Sequence, residues 1–197
     1  MIVESLLSAI DKGREGRSQG YSIGLPKLEQ IVDGVNKGVY YLIGGESGSG
    51  KSSLMIYSFI YRPLMDHLDD GNLKISLFSL EMNADMIMAK LLSTYIFEKY
   101  NKRLSLKQLL SVQKDFILND ECYGIVKECI PWMKKVESII TIYDKAASAN
   151  SIYAALLKEL EKDGSFTETD NRKIYHPKNP NLVHIVVVDH IAKFWRV

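Results

Sequence analysis

Residues 44–53, "GGESGSGKSS", lie between the apolar run "VYYLI" and the amphipathic run "LMIYSFIYRPLM". Gly45, Gly50, Lys51 and Ser52 fit G-x-x-x-x-G-K-[ST] without a gap. This pattern constrains the fold more than any other part of the chain, because its chemistry works where a strand turns into a helix. The glycines let the backbone wrap with its N–H groups inward, and the helix adds its positive end. Lys51 would then neutralise the β and γ oxygens of a nucleotide, and Ser52 would hold Mg²⁺. The candidate nucleotide-binding set is Gly45, Glu46, Ser47, Gly48, Ser49, Gly50, Lys51, Ser52 and Ser53. The bland alternative is a glycine-rich turn that holds no ligand.

The rest of the chain alternates short apolar runs with helical patterns. Strands are expected over 39–43, 73–80, 138–143 and 182–188, with helices over 51–68, 84–98, 105–135 in two pieces, and 149–162. Apolar strands separated by helices argue for an α/β fold with a mostly parallel sheet flanked by helices. Residues 1–12 read as an amphipathic helix with Ile2, Leu6, Leu7 and Ile10 on one face, followed by the polar, glycine-bearing linker "DKGREGRSQG". Residues 162–181 are polar, carry two prolines, and read as a long surface loop. The organisation expected is a linker helix and flexible linker over 1–20 and one globular domain over 21–197.

Charge and cysteine usage narrow the function classes. Lys plus Arg number 25 against 24 Asp plus Glu, a formal charge of +1, so no global basic field advertises a nucleic-acid partner. The local basic clusters are Lys99, Lys102, Arg103 and Lys107, and Lys12, Arg14 and Arg17, which read as solvated helix or linker faces or as sites of contact with DNA. Cys122 and Cys129 read as two buried thiols in a reducing compartment rather than as a metal or redox site. His67, His176 and His184 show no partner pattern, and His190 reads as structural. The N-terminus carries Glu4 and Asp11 and lacks a small-residue cleavage site, which makes it a poor signal peptide. No apolar run approaches the roughly 18 residues that span a bilayer. A cytoplasmic protein with no membrane partner is expected.

Two carboxylates complete the candidate site. "HIVVVDH" ends the most apolar strand with Asp189, which could share magnesium with Ser52 and the nucleotide or could simply terminate the strand. "LFSLEMNADMIMAKLLS" ends an apolar strand at Ser79-Leu80-Glu81, with Asn83 as N-cap of the next helix. Glu81 would lie at the C-terminal edge of the sheet, where ligands of open α/β folds bind, and could orient or deprotonate an attacking water. It could also be an exposed first-turn charge favoured by the helix dipole.

"SIGLPKLEQIVDGVNKGVYYLIGGESGSGKSSL", then "LFSLEM", then "IVVVDH" stand in the order and approximate spacing of a known family. Over about residues 21–197 the chain resembles the RecA-like ATPase domain of DnaB-type replicative helicases, and "SLEM" is the most diagnostic piece. The Asp189-His190 pair and the compact N-terminus are more like bacteriophage members. The resemblance implies a RecA-like P-loop core, with Lys51 and Ser52 on phosphate and Mg²⁺, Glu81 as catalytic carboxylate beside Lys51, and Asp189 as the Walker B residue. It also implies ATP as substrate, single-stranded DNA as partner, a homo-oligomeric ring, in full a hexamer, and a primase or loader as further partner. Residues 2–11 would be the linker helix that docks on the adjacent subunit.

The chain departs from the family at its end. It stops at Val197 with "IAKFWRV", where family members continue into DNA-binding loops, a polar sensor and the arginine finger, so an incomplete C-terminus is expected. Phe194 and Trp195 would leave apolar surface without a cover. Two rival readings remain at this point. One is an ATPase of RecA or KaiC type that switches an assembly, and the other is a nucleotide-binding interaction module with little turnover.

Overall fold

The computed structural model describes residues 2–15, 20–145, 148–169 and 172–189. Arg17, His190, Phe194 and Trp195 lie outside the described residues. The chain divides into two compact units, Met1–Asp66 and His67–Val197. Among the described residues no helix is long and apolar enough to cross a membrane.

The first unit opens with helix α1 (Ile2–Arg14), which runs two residues past the end expected at residue 12. Its apolar face is open to solvent, from 48% at Ile10 to 87% at Ile2. The segment after the linker closes on itself through an antiparallel bridge between Tyr21 and Val35. Within it, helix α2 (Pro26–Glu29) presents Glu29, whose Oε1 accepts from Ser22 Oγ at 2.6 Å, Ile23 N at 2.7 Å and Gly24 N at 3.1 Å. The Ser22 hydroxyl is the largest influence holding that carboxyl below its usual range, and the two backbone donors add to it.

Residues 39–43 are not the strand that their apolar character suggests. They carry no ladder among the described residues, and Val39, Tyr40 and Leu42 are exposed. Backbone extension becomes a strand only through a partner's N–H and C=O groups, and here the segment is held by one side chain instead. The Tyr41 hydroxyl donates to Gly34 O at 2.7 Å and accepts from Asn36 N at 3.0 Å, while its ring sits 5.2 Å from that of Phe59.

The expected helix over 51–68 is present as three consecutive pieces: α3 (Lys51–Met55), a π-helical turn (Ile56–Tyr61) and α4 (Arg62–His67). Pro63 explains the interruption. A proline inside a helix lacks the N–H and crowds the carbonyl four residues earlier, that of Phe59. The turn ahead of it widens, and Arg62 N donates to Tyr57 O, five residues back.

The second unit is built on a parallel sheet of strand order β2-β1-β5: β1 (Leu73–Ser79) is central, with β2 (Ile140–Tyr143) on one side and β5 (Val183–Asp189) on the other. Ile75 pairs with both Ile140 and Ile185, and Ser79 pairs with Asp189, so side chains in register share a face. One face carries Ile75, Leu77, Ile185 and Val187, all buried. Between β1 and β2 run α5 (Ala84–Tyr100), α6 (Leu106–Leu109), a 3₁₀ turn (Lys114–Phe116), α7 (Asp120–Glu128) and α8 (Ile130–Ile139). The two helices expected over 105–135 are thus four short pieces, and α8 takes in Ser138 and Ile139, which the apolar pattern places in the strand. Asn83 caps α5 by accepting from Met86 N, and Asn119 caps α7 by accepting from Cys122 N. Tyr95 and Trp132 stack face to face at 4.1 Å, joining α5 to α8.

Helix α9 (Ala149–Asp163) covers the other face of the sheet with a charge. Glu159, only 5% exposed, accepts from Ser76 Oγ at 2.5 Å and from the Tyr143 hydroxyl, and it lies 3.8 Å from Lys74 Nζ and 3.3 Å from His184 Nε2. Lys74 Nζ donates to Asp163 at 2.7 Å. The single hydroxyl proton of Ser76 goes to Glu159, so His184 Nε2, 2.7 Å from the same oxygen, must carry its own proton and donate. Burial keeps the His184 pKa below that of an ordinary histidine.

The expected loop over 162–181 is instead an antiparallel hairpin of β3 (Gly164–Thr169) and β4 (Arg172–Pro177). Its strands are polar, which hid them. Phe166 and Tyr175 face each other across the pair at 5.2 Å, and Lys178 N donates to Asp163 O at 2.9 Å where the hairpin meets α9.

Glu159→Ala should lower the unfolding free energy by on the order of 3 kcal/mol, because it strands the Ser76, Tyr143, Lys74 and His184 groups that its carboxylate gathers. Denaturant titration reads this directly. The Tyr143 hydroxyl is pushed up to about 12, chiefly by burial and then by its bond to Glu159. Its contribution is complete below the unfolded tyrosine value of about 10 and is lost as pH rises from there towards 12, since the unfolded chain gives up its proton first. Stability measured across that window should fall, and Tyr143→Phe should make the decline shallower.

Candidate functional site

The candidate phosphate loop has a backbone that the sequence dictates. Gly50 sits immediately before α3 with φ 89°, a left-handed conformation in which a side chain is strained. Gly45 is held for a different reason: a Cβ there would lie 2.8 Å from Ser49 Oγ and 3.6 Å from Lys51 Cγ. Ser49 N donates to Glu46 O at 3.2 Å, closing the tip around Ser47 and Gly48. Lys51 reaches back over the loop, and its Nζ donates to Gly45 O at 2.8 Å and Glu46 O at 2.6 Å. The cation therefore sits where the loop closes, among polar backbone groups that phosphate oxygens could replace as its partners. The start of α3 has no side-chain cap, which leaves its first-turn N–H groups to other acceptors. Ser52 and Ser53 occupy that first turn. These features fit a phosphate group.

Glu81 and Asp189 come together in the second unit. Asp189 is the last residue of β5 and pairs in register with Ser79, the last residue of β1. The ladder continues one step further, with Leu80 N donating to Asp189 O at 2.7 Å. Glu81 follows directly, exposed, in the turn between β1 and α5. Asp189 is buried at 9% exposure. Both stand at the C-terminal ends of neighbouring parallel strands, the edge at which open α/β sheets bind ligands. Lys51 and Ser52 belong to the first unit and Glu81 and Asp189 to the second. Among the described residues no group of three or more His, Cys, Asp or Glu side chains is placed to hold a metal ion. A magnesium site of the expected kind takes most of its oxygens from phosphate and water.

Other expected features fare differently. Lys99 lies over the rings of Tyr95 and Tyr100, Arg103 over Phe97 and Lys107 over Phe116, while Lys102 donates to Glu121 at 2.5 Å. These cations cover aromatic surface or neutralise a neighbour, which is what a solvated face does with its charges. Cys122 and Cys129 are both buried and free, and burial pushes the Cys129 thiol up. The histidines do have partners, contrary to the pattern: His67 Nδ1 meets Asp70 at 2.7 Å, His176 meets Thr167 at 2.9 Å, and His184 meets Ser76. The last two pairings cross between strands, so local spacing hides them.

Sequence reasoning missed Ser79, Asp144 and Glu159. Ser79 was legible only as a strand end, and Asp144 carried no motif. For Glu159 a signal existed, since Lys74 and Ser76 alternate with apolar residues along β1.

Lys51→Ala removes the side-chain nitrogen that bonds to the loop carbonyls of Gly45 and Glu46. It is expected to abolish nucleotide binding measured by calorimetry while leaving the far-ultraviolet circular dichroism unchanged. Retained affinity would separate this loop from phosphate. In comparisons with known proteins, no family model matches the chain, and no curated protein matches it in sequence.

Proposed function

We propose that the chain is the RecA-like ATPase domain of a DnaB-type replicative helicase, using ATP and Mg²⁺ to drive movement along single-stranded DNA during phage-type replication. The observation that carries this reading is that Asp189 ends β5 in register with the end of β1 and bonds the N–H of Leu80, with Glu81 the next residue in the turn that follows. The phosphate-loop geometry around Gly45, Gly50 and Lys51 supports it. In this reading Gly45 to Ser53 would cradle the phosphates, Lys51 would offset charge on the β and γ oxygens, and Ser52 and Asp189 are the residues that would hold the magnesium, which would supply further charge neutralisation when bound. Glu81 orients the water that attacks the γ phosphorus, and the bond to the β–γ bridging oxygen breaks to leave ADP and phosphate.

The exposed apolar face of α1 supports a homo-oligomeric assembly, a hexameric ring in this reading, because an uncovered stripe of this kind is stabilised by a neighbour. A neighbouring subunit would also supply the arginine that speeds phosphoryl transfer. The working compartment is the cytoplasm, that of the host where the protein is phage-encoded, and a primase or loader is a further partner.

Glu81→Gln is the direct test. It should lower ATP turnover by two orders of magnitude or more, on the scale of losing a water-positioning group, while leaving ATP affinity within a few-fold. An unchanged rate would sink the enzymatic reading. Turnover that proceeds in the wild type without any binding of, or response to, single-stranded DNA in a C-terminally extended protein would remove the helicase part of it.

A further inference from the structure

The turn that carries Glu81 is braced at both ends, on one side by the backbone of Asp189 and on the other by groups that belong to no nucleotide motif. On its N-terminal side, Leu80 N is fixed to Asp189 O at 2.7 Å. On its C-terminal side, the Ser79 hydroxyl spans the turn: it donates to Met82 O at 2.7 Å and accepts from Met82 N at 3.1 Å. Ser79 is 1% exposed, so its hydroxyl makes these two bonds without competition from water. Two residues further on, Asp144, just past the end of β2, accepts from Ala84 N at 3.1 Å and fixes the first residue of α5. Asn83 Oδ1 accepts from Met86 N at 2.9 Å within the same turn. The three strands β5, β1 and β2 therefore each send one group into the five-residue stretch from Leu80 to Ala84. Glu81 is the exposed carboxylate within that stretch.

We propose that Ser79 and Asp144 are positioning residues for Glu81, holding its backbone at a fixed distance from Asp189. This rests on the reading of Glu81 as the group that orients the attacking water. A serine is suited to the role because one oxygen serves as donor and acceptor at once, and both bonds go to the same residue, which pins the peptide groups on either side of Met82. A general base or water-positioning group gains its effect from placement within a fraction of an ångström, so loosening the turn acts on turnover and leaves the phosphate loop alone.

The experiment is steady-state ATPase kinetics on the full chain with Ser79→Ala, Asp144→Ala, Asp144→Asn and Glu81→Gln, together with amide hydrogen exchange at Met82 and Ala84. Ser79→Ala and Asp144→Ala should each lower kcat roughly tenfold to a hundredfold with KM for ATP within about twofold of wild type, the mark of an effect confined to the reacting geometry. Exchange should accelerate at Met82 in the first variant and at Ala84 in the second. Asp144→Asn keeps an oxygen acceptor for Ala84 N and should restore most of the lost rate, which a charge effect would not allow. Wild-type kcat in Ser79→Ala and Asp144→Ala, with Glu81→Gln inactive, overturns the positioning role and leaves the function intact. Full activity in Glu81→Gln overturns the function itself. Should Ser79→Ala fail to fold, the two variants at exposed Asp144 decide the matter.

Discussion

A carboxylate placed under a β-sheet organises the second unit. Glu159 collects the Ser76 and Tyr143 hydroxyls and draws Lys74 and His184 close, so one side chain of α9 touches groups from all three strands. A buried charge of this sort contributes little net stability over an apolar core of equal volume, but breaking it is costly. Its value lies in direction. Apolar contacts would let α9 slide or rotate over the sheet, whereas four polar groups converging on two oxygens admit one arrangement. That arrangement fixes the relative heights of β1, β2 and β5, whose far ends carry Ser79, Asp144 and Asp189. The chemistry expected at the sheet's edge thus depends on a network at its middle.

Much of this architecture is legible from residue types alone. The strands around Ile75 and Val187, the N-cap at Asn83 and the helix ending near Asp163 follow from runs of apolar residues, capping chemistry and 3.6-residue spacing, all of them local. What is illegible is long-range or compensated. The hairpin of β3 and β4 has too few apolar residues to announce itself, and the partners of His184 and Glu159 lie about a hundred residues away along the chain or on another element. Residues 39–43 failed in the opposite way: their composition suits a strand, but a strand is a property of two segments, and composition describes only one.

The candidate site shows the same division. Gly50 and Gly45 are readable because a left-handed φ and a close approach to Ser49 each demand glycine. Glu81 and Asp189 are readable as strand-end carboxylates, and the backbone bond from Leu80 to Asp189 sets them beside each other. Ser79 and Asp144 are not readable, because a hydroxyl or carboxylate that braces a turn leaves no spacing rule behind. Motifs report the groups that face a ligand, while the groups that hold them still are found only in coordinates.

The π-helical turn ahead of Pro63 has a consequence for how the helix after the phosphate loop presents its side chains. Each residue of an α-helix advances the direction of its side chain by about 100°, and the wider turn absorbs the equivalent of one additional residue. Side chains after Tyr61 are therefore rotated out of phase with those that begin at Lys51. Buried positions continue through the change of winding, from Met55 and Ile56 to Ile60, Tyr61 and Leu64. The proline acts as a mechanical phase shifter within one continuous rod. An insertion or deletion of a single residue in this stretch would be felt as a rotation of everything downstream, far more than as a change in length.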